Sequence, residues 1–506
     1  MIAKRSGLAL VAQTLMVMAL MGMTAPAVAD TVQVTGGAIH GLDQPDGSHL
    51  YFTIPYAAPP VGALRWKPPA PVTPWTGVRD ATQSGAPCSQ PDDGWNSKDA
   101  AKSAEDCLYL SVHSPAHAAG DKLPVLVWIH GGSNRAGAGY GTAWSAINQK
   151  GIVVVSIEYR LGVFGFLSSP ELTAEGPHPS SGNYGLLDQI AALAWVRDNI
   201  ATFGGDASKV TIAGQSAGAM DVSMLLRSRL ARGLFRGAIE ESGAMQAPRS
   251  AADNEKVGVT VMNALHVTSL AQLRAAPAAD LLKATNTLQP PDGQTYNMLW
   301  MEASADGYVL TAPQNDLYHN GDQAPVPLLI GDNSREDIND GDIAAVRKLL
   351  TRGFNAKAGE AEKVYGIVGD QLPALDPVLG SAGTQAMSDM VFRCPDYREA
   401  AWQTANGQPV FRYEFAVAAP GAKGVAHSTE LTYVFNNGPA GSTFGTWPPA
   451  LDYWANFVKT GDPNGVGLPT WPQMGQADKV MAFLPTGPTV VDDYRGPQCR
   501  LMATAQ

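Results

Sequence analysis

The segment Gly151-Ile152-Val153-Val154-Val155-Ser156-Ile157 is almost wholly apolar and dominated by β-branched residues. Side chains alternate across a strand, so a strand apolar at nearly every position needs cover on both faces. That is the situation of a parallel sheet enclosed by helices. Leu123-Pro124-Val125-Leu126-Val127-Trp128-Ile129 has the same character, as does the shorter Val210-Thr211-Ile212-Ala213, with Ala238–Glu240, Val326–Ile330 and Val410–Phe415 further on. Leu186, Ile190, Leu193, Arg197 and Ile200 recur at helical spacing, apolar except at Arg197, and Gly204-Gly205 stops the run. Alternation of this kind predicts an α/β fold with a large, mostly parallel central sheet and helices on both faces. No repeat of 20–50 residues and no low-complexity linker interrupts it, which predicts one domain over 30–506, with 345–390 as a helical excursion over the sheet.

The first 29 residues are an address. Lys4 and Arg5 precede the apolar run Leu8–Met23, and Ala27-Val28-Ala29 ends it before Asp30. This pattern predicts a secretory signal peptide cleaved after Ala29. The run is shorter than the roughly 20 residues that span a bilayer, and no later stretch is long and apolar enough, so the mature chain has no expected membrane span. Cleavage takes the net charge from −11 to −13, because Lys4 and Arg5 leave with the leader. No run of basic residues is present to bind phosphates, which excludes nucleic acid as a partner. Export to the periplasm or beyond makes the four cysteines a disulfide set with three possible pairings. Sequence separation favours Cys88–Cys107, which leaves Cys394–Cys499.

Gly214-Gln215-Ser216-Ala217-Gly218 follows the strand Val210–Ala213, and Ala217–Leu226 can open a helix. The five-residue pattern is weak in a chain with 53 glycines among 506 residues. Strand, tight turn and helix together give it meaning, because they are the setting that stands a nucleophilic hydroxyl above a sheet edge. A serine needs a base, and the base an orienting acid, in the chain order Ser, acid, His for this arrangement. Only His266, His319 and His427 lie beyond Ser216. The stretch Leu328-Leu329-Ile330-Gly331-Asp332-Asn333-Ser334-Arg335-Glu336-Asp337 offers an acid just after a strand, and His427 alone then remains downstream. Spacing leaves Glu336 and Asp337 as alternatives.

The third requirement is a set of fixed donors for the developing oxyanion, worth about 3–4 kcal/mol each. The N–H of Ala217 is one, and the turn Gly131-Gly132-Ser133 after its strand supplies the others. A nucleotide site does not fit: Gly137-Ala138-Gly139-Tyr140-Gly141-Thr142 lacks the third glycine of the dinucleotide pattern, and no Walker lysine follows. Nor is there a His-Glu-x-x-His helix for zinc. No metal or other cofactor is expected.

With these motifs in place, the sequence resembles the type-B carboxylesterases, the family of cholinesterases and bacterial para-nitrobenzyl esterases. The resemblance runs from about residue 32 to 500 through Ile54–Gly62, Glu105-Asp106-Cys107-Leu108-Tyr109-Leu110, Gly182–Gln189, Phe203–Asp206, Tyr453–Phe457 and Lys459–Asn464. It implies an α/β-hydrolase fold and a serine esterase acting on a small-molecule ester through an acyl-enzyme. The family's Gly-x-Asn-x-x-Glu stretch falls on Gly331–Glu336, which implies Glu336 as the acid, and its Gly-Val-x-His segment falls on Gly424–His427. The same resemblance implies the pairs Cys88–Cys107 and Cys394–Cys499, and a supporting Ser242 near the acid.

Three departures stand out. The residue before the nucleophile is Gln215, where the family often has Glu. The turn reads Gly131-Gly132-Ser133-Asn134 where the family has Gly-Gly-Gly-Phe, and Asn134 in place of an aromatic wall predicts a roomier or more polar pocket. The loop closed by Cys88–Cys107 is short and holds one aromatic, Trp95, which either packs the loop or meets substrate. A non-enzymatic, adhesive relative would lack the nucleophile or the histidine, and Ser216, Glu336 and His427 are all present. Amide, carbamate or lactone cleavage uses the same triad and stays open; no amphipathic lid segment of an interfacial lipase is evident.

Overall fold

The computed structural model of the chain describes residues 31–505 apart from 177, 244–248, 289–302, 314–316, 319, 420, 423, 436–448 and 476–477. The expected signal peptide and its cleavage site lie outside the described residues.

Eleven strands form one sheet: β1 Leu42–Asp43, β2 His49–Pro55, β3 Tyr109–Ser114, β4 Leu123–Ile129, β5 Val153–Ile157, β6 Gly205–Gln215, β7 Gly237–Glu241, β8 Leu328–Asn333, β9 Val410–Phe415, β10 Lys479–Leu484 and β11 Gly487–Asp492. Their spatial order is β11-β10-β9-β8-β7-β6-β4-β5-β3-β2-β1. The seven from β5 to β10 run parallel. Both margins are antiparallel.

The apolar strands divide by parity. Val125, Val127, Ile129, Val153, Val155, Ile157, Val210 and Ile212 join one core on one face. Leu126, Trp128, Val154, Ala213, Ile239 and Leu329 join a second core on the other. Helix α1 Tyr184–Asn199 covers the first face with Leu193 and Val196, and α2 Ala217–Arg227 adds Val222, Leu225 and Leu226. Helix α3 Ala450–Thr460 covers the second with Tyr453, Trp454, Phe457 and Val458. At about 25 cal/mol per Å² of apolar area, these two interfaces are the dominant stabilising term. As expected from Gly204-Gly205, α1 gives way to a short 3₁₀ turn and ends at Gly204, whose φ of 75° suits a residue without Cβ.

Residues 343–405 rise as a set of helices with a separate apolar cluster, fastened at its edge by Cys394–Cys499. Cys88–Cys107 closes the other loop. Among the described residues, no helix is long and apolar enough to cross a membrane.

The chain leaves β4 toward β5 on one side and later leaves β6 toward β7 on the other. A crevice therefore opens above the C-terminal ends of β4 and β6, where parallel sheets gather their ligands. Register aligns what borders it. Ile129 pairs with Gly214, Gln215 with Glu241, and Glu241 with Gly331, so 130, 216, 242 and the turn after 333 emerge side by side.

Candidate active site

Ser216 caps α2 at φ 57° and ψ −126°, a conformation L-residues rarely take. Its N–H donates to Glu241 O at 2.8 Å and its carbonyl accepts from Met220 N–H at 3.0 Å, which fixes the turn from both sides. The flanking glycines serve a purpose other than positive φ. A Cβ on Gly214 would lie 2.4 Å from the Gly218 backbone, and one on Gly218 would lie 2.1 Å from Ile129 O. Close packing of strand on helix excludes any larger residue there, while Ser216 itself carries the strain.

The structure sets His427 against Glu336. Nδ1 lies 2.5 Å from Glu336 Oε2. A carboxylate accepts only, so Nδ1 carries the proton and Nε2 of the neutral ring offers a lone pair. Glu336 is buried, and its Oε1 accepts from Ser242 Oγ at 2.6 Å and Asn333 N–H at 2.5 Å. Between the two acids left open by spacing, the histidine meets Glu336. Burial works against the imidazolium of His427, but the Glu336 carboxylate and hydrogen bond, with Glu430 and Asp337 behind, outweigh it and hold the group above the ordinary histidine value.

Nε2 of His427 accepts from Gln215 Nε2 at 3.1 Å. Ser216 and His427 line one cleft of about 600 Å³, yet among the described hydrogen bonds it is Gln215, not Ser216, that occupies this nitrogen.

The turn Gly131–Ser133 lies against the elbow: a Cβ on Gly131 would come within 2.4 Å of Gln215 O. Gly132 has φ 110°, Ser133 φ 59° and Asn134 φ 51°, so the turn keeps its left-handed run through two residues that bear side chains. Each such residue costs about 1–2 kcal/mol. Among the described residues, the N–H groups of Gly132, Ser133 and Ala217 have no acceptor, which leaves them for a ligand.

Asn134 does not form a pocket wall. It is buried beneath the turn, donates to Asp221 Oδ1 at 2.8 Å and accepts from the Tyr159 hydroxyl at 3.0 Å. At φ 51° its side chain lies under the turn instead of facing the cleft, so neither an aromatic wall nor a polar one stands at this position. Burial pushes Asp221 up to about 7, against the donors Asn134 and Gln189. Trp95 is 65% exposed at the cleft mouth, and its ring lies 3.3 Å from where a Gly132 Cβ would stand. It does not pack the interior of its loop.

Several residues of the site carried no sequence signal. Glu430, buried three residues after His427 at the start of the short helix Leu431–Val434, accepts from Asn333 Nδ2. Burial first, and then the Glu336 charge, push it up to about 7. Behind it, burial and the Glu430 charge hold Glu241 well above the carboxylate range, although Trp454 Nε1 donates to it at 2.6 Å. Trp128 and Phe435 stand edge-to-face, 4.8 Å apart, in the cleft wall. Among the described residues no cluster of His, Cys, Asp or Glu is arranged to hold a metal ion.

The model of the carboxylesterase family matches residues 28–364 and 371–502. The chain belongs to the carboxylesterase family. Fumonisin B1 esterase of Sphingopyxis macrogoltabida is 33% identical over 479 residues, covering 88% of this chain and 85% of that one. Cocaine esterase of Homo sapiens is 33% identical over 498 residues, covering 89% and 86%. Among solved structures, a PNB esterase superposes with a TM-score of 0.79 at 31% identity, covering 93% of this chain and 99% of the other. The carboxylesterase EST55 of Geobacillus stearothermophilus gives 0.75 at 31% identity, covering 94% and 100%. The fold is therefore that of the α/β-hydrolases, and the carboxylesterase is a carboxylic ester hydrolase of the serine type acting on small-molecule esters.

Proposed function

We propose that this carboxylesterase is exported as one catalytic domain, residues 30–506, and cleaves esters through an acyl-enzyme on Ser216. Ser216 Oγ bonds to the ester carbonyl carbon while its proton passes to His427 Nε2. The carbonyl oxygen becomes an oxyanion held by the N–H groups of Ala217 and of the Gly131–Ser133 turn. The carbon–oxygen bond to the alcohol then breaks, and His427 returns the proton to the leaving oxygen. A water molecule repeats the sequence on the acyl-enzyme, releasing the acid and restoring Ser216. Glu336, steadied by Ser242, orients the ring and stabilises its charged form.

The observation that carries this reading is the Glu336–His427 hydrogen bond of 2.5 Å at a cleft shared with Ser216 and unengaged backbone donors. The test is hydrolysis of p-nitrophenyl acetate, butyrate, octanoate and palmitate by the mature protein beside Ser216→Ala. Turnover of the short esters by wild type, lost by a factor of about 10⁵ or more in the variant, is expected. Equal turnover by both proteins refutes the assignment. Because His427 must be neutral to act as base, activity also falls at acid pH.

A further inference from the structure

Beneath the oxyanion turn, two buried side chains face each other without a hydrogen bond between them. His130 Nε2 and Glu158 Oε2 are 3.9 Å apart, and neither has another partner. Their other atoms are engaged. His130 Nδ1 is 2.8 Å from Gly131 O, and a carbonyl only accepts, so Nδ1 bears the hydrogen and Nε2 presents a lone pair. Glu158 Oε1 accepts from the backbone N–H of Gly139 at 2.7 Å and of Tyr140 at 3.3 Å. Two bare acceptors held face to face away from water repel unless one proton lies between them.

We propose that Glu158 is a positioning residue for the oxyanion turn, and that one proton shared with His130 ties Gly131–Ser133 to the facing turn at Gly139–Tyr140. An Oε2–H donor reaches Nε2 once the side chains approach by about 1 Å, to hydrogen-bond distance. The left-handed run from Gly132 to Asn134 persists only if its surroundings over-determine it. The His130 ring supplies part of that support: it stacks on Tyr159 with centroids 4.6 Å apart and holds the Gly131 carbonyl.

The charges around the pair favour the proton. Burial pushes Glu158 up to about 8, against its bonds from Gly139 and Tyr140, and Asp99 raises it further. Burial also takes His130 down to about 4. The other groups facing Glu158 are the hydroxyls of Tyr140, which donates to Asp99, of Tyr56, which donates to Glu158 O, and of the neighbouring Tyr159. None is a cation. Loss of the shared proton at alkaline pH therefore loosens the turn, which holds charge only in the transition state, so kcat falls and KM does not.

This inference rests on the proposed Ser216 chemistry, and the test separates the two. In wild type, kcat on p-nitrophenyl butyrate should fall about tenfold between pH 7.5 and 9.5, with KM within about twofold. Glu158→Gln keeps an acceptor for Gly139 and Tyr140 and gives His130 a permanent donor. It should keep neutral-pH kcat within about threefold and lose the alkaline fall. Glu158→Leu, folded by circular dichroism, should lose kcat by about tenfold or more at every pH, with KM held. Independently of turnover, the ¹³C-histidine NMR signal missing in His130→Asn should shift once between pH 7 and 9.5 in wild type and stay fixed in Glu158→Gln. An alkaline fall retained by Glu158→Gln, or a His130 signal flat in wild type, overturns the proposal. If wild type cleaves no ester, the proposed function fails, and the NMR titration still decides the shared proton.

Discussion

Gln215→Glu places a charge where this chain has an amide, and the outcome follows from one distance. Gln215 is buried and its Nε2 stands 3.1 Å from His427 Nε2. A unit charge about 4 Å from another is worth about 4 kcal/mol at an effective dielectric of 20 and about 1 kcal/mol in water. The His427 side chain is 31% exposed, which puts the interaction between those limits. Taking about 2 kcal/mol, the imidazolium gains roughly 1.5 pK units. His427 already lies above the ordinary value because of Glu336. A further rise keeps the ring protonated, and unable to accept from Ser216, up to a higher pH. The assay is kcat/KM for p-nitrophenyl butyrate from pH 5 to 9. The acid limb should move up by about 1–2 units, costing about tenfold or more at pH 6. Stability moves in step. A folded-state pKa above the unfolded value stabilises the protein below about pH 6.5 and loses that contribution as pH rises through the folded pKa. Relative to wild type, Gln215→Glu should thus be steadier at pH 5 than at pH 9. An acid limb displaced by less than about 0.3 unit, or displaced downward, would refute the reasoning.

Asn134→Phe, which a pocket-wall role would make a specificity change, should instead lower stability by about 2–4 kcal/mol, because it strips a donor from buried Asp221 and forces a ring into a filled site. Thermal unfolding checks this, and an unchanged midpoint with altered acyl preference would contradict it. The two disulfides should differ in worth. In the chain-entropy model, closing the 105-residue separation of Cys394–Cys499 contributes about 5 kcal/mol and the 19-residue separation of Cys88–Cys107 about 3 kcal/mol. Paired Cys→Ser variants in denaturant titrations should rank in that order, and a reversed ranking speaks against the model.

Much of the sheet was legible because burial on both faces writes itself into composition. Val125 to Ile129 and Ile152 to Val155 are apolar at consecutive positions, and the structure sends alternate residues to two separate cores. The edge strand β11 gave a weaker signal, since its residues are half-buried or exposed and mix Gly, Pro, Thr and Asp among the apolar. Chain order pointed to His427, and the resemblance to the family pointed to Glu336 over its neighbour Asp337. Where the Asn134 side chain goes was not legible, because residue type reports neither a backbone φ of 51° nor a partner 87 residues away at Asp221.

What the sequence determined by itself was the list of parts: strands covered on both faces, a glycine-flanked serine between a strand and a helix, and an acid and a histidine in the right order. Which atoms meet was decided only by tertiary structure. Glu336, Ser242, Asn333, Glu430 and His427 converge because β7, β8 and the chain beyond β9 end at one rim of the sheet. The Glu158–His130 pair exists only because β4 and β5 are neighbours in space. Periodicity reports the environment of a side chain one face at a time. The partner of a buried polar atom lies tens of residues away, at a distance set by strand register and not by spacing along the chain.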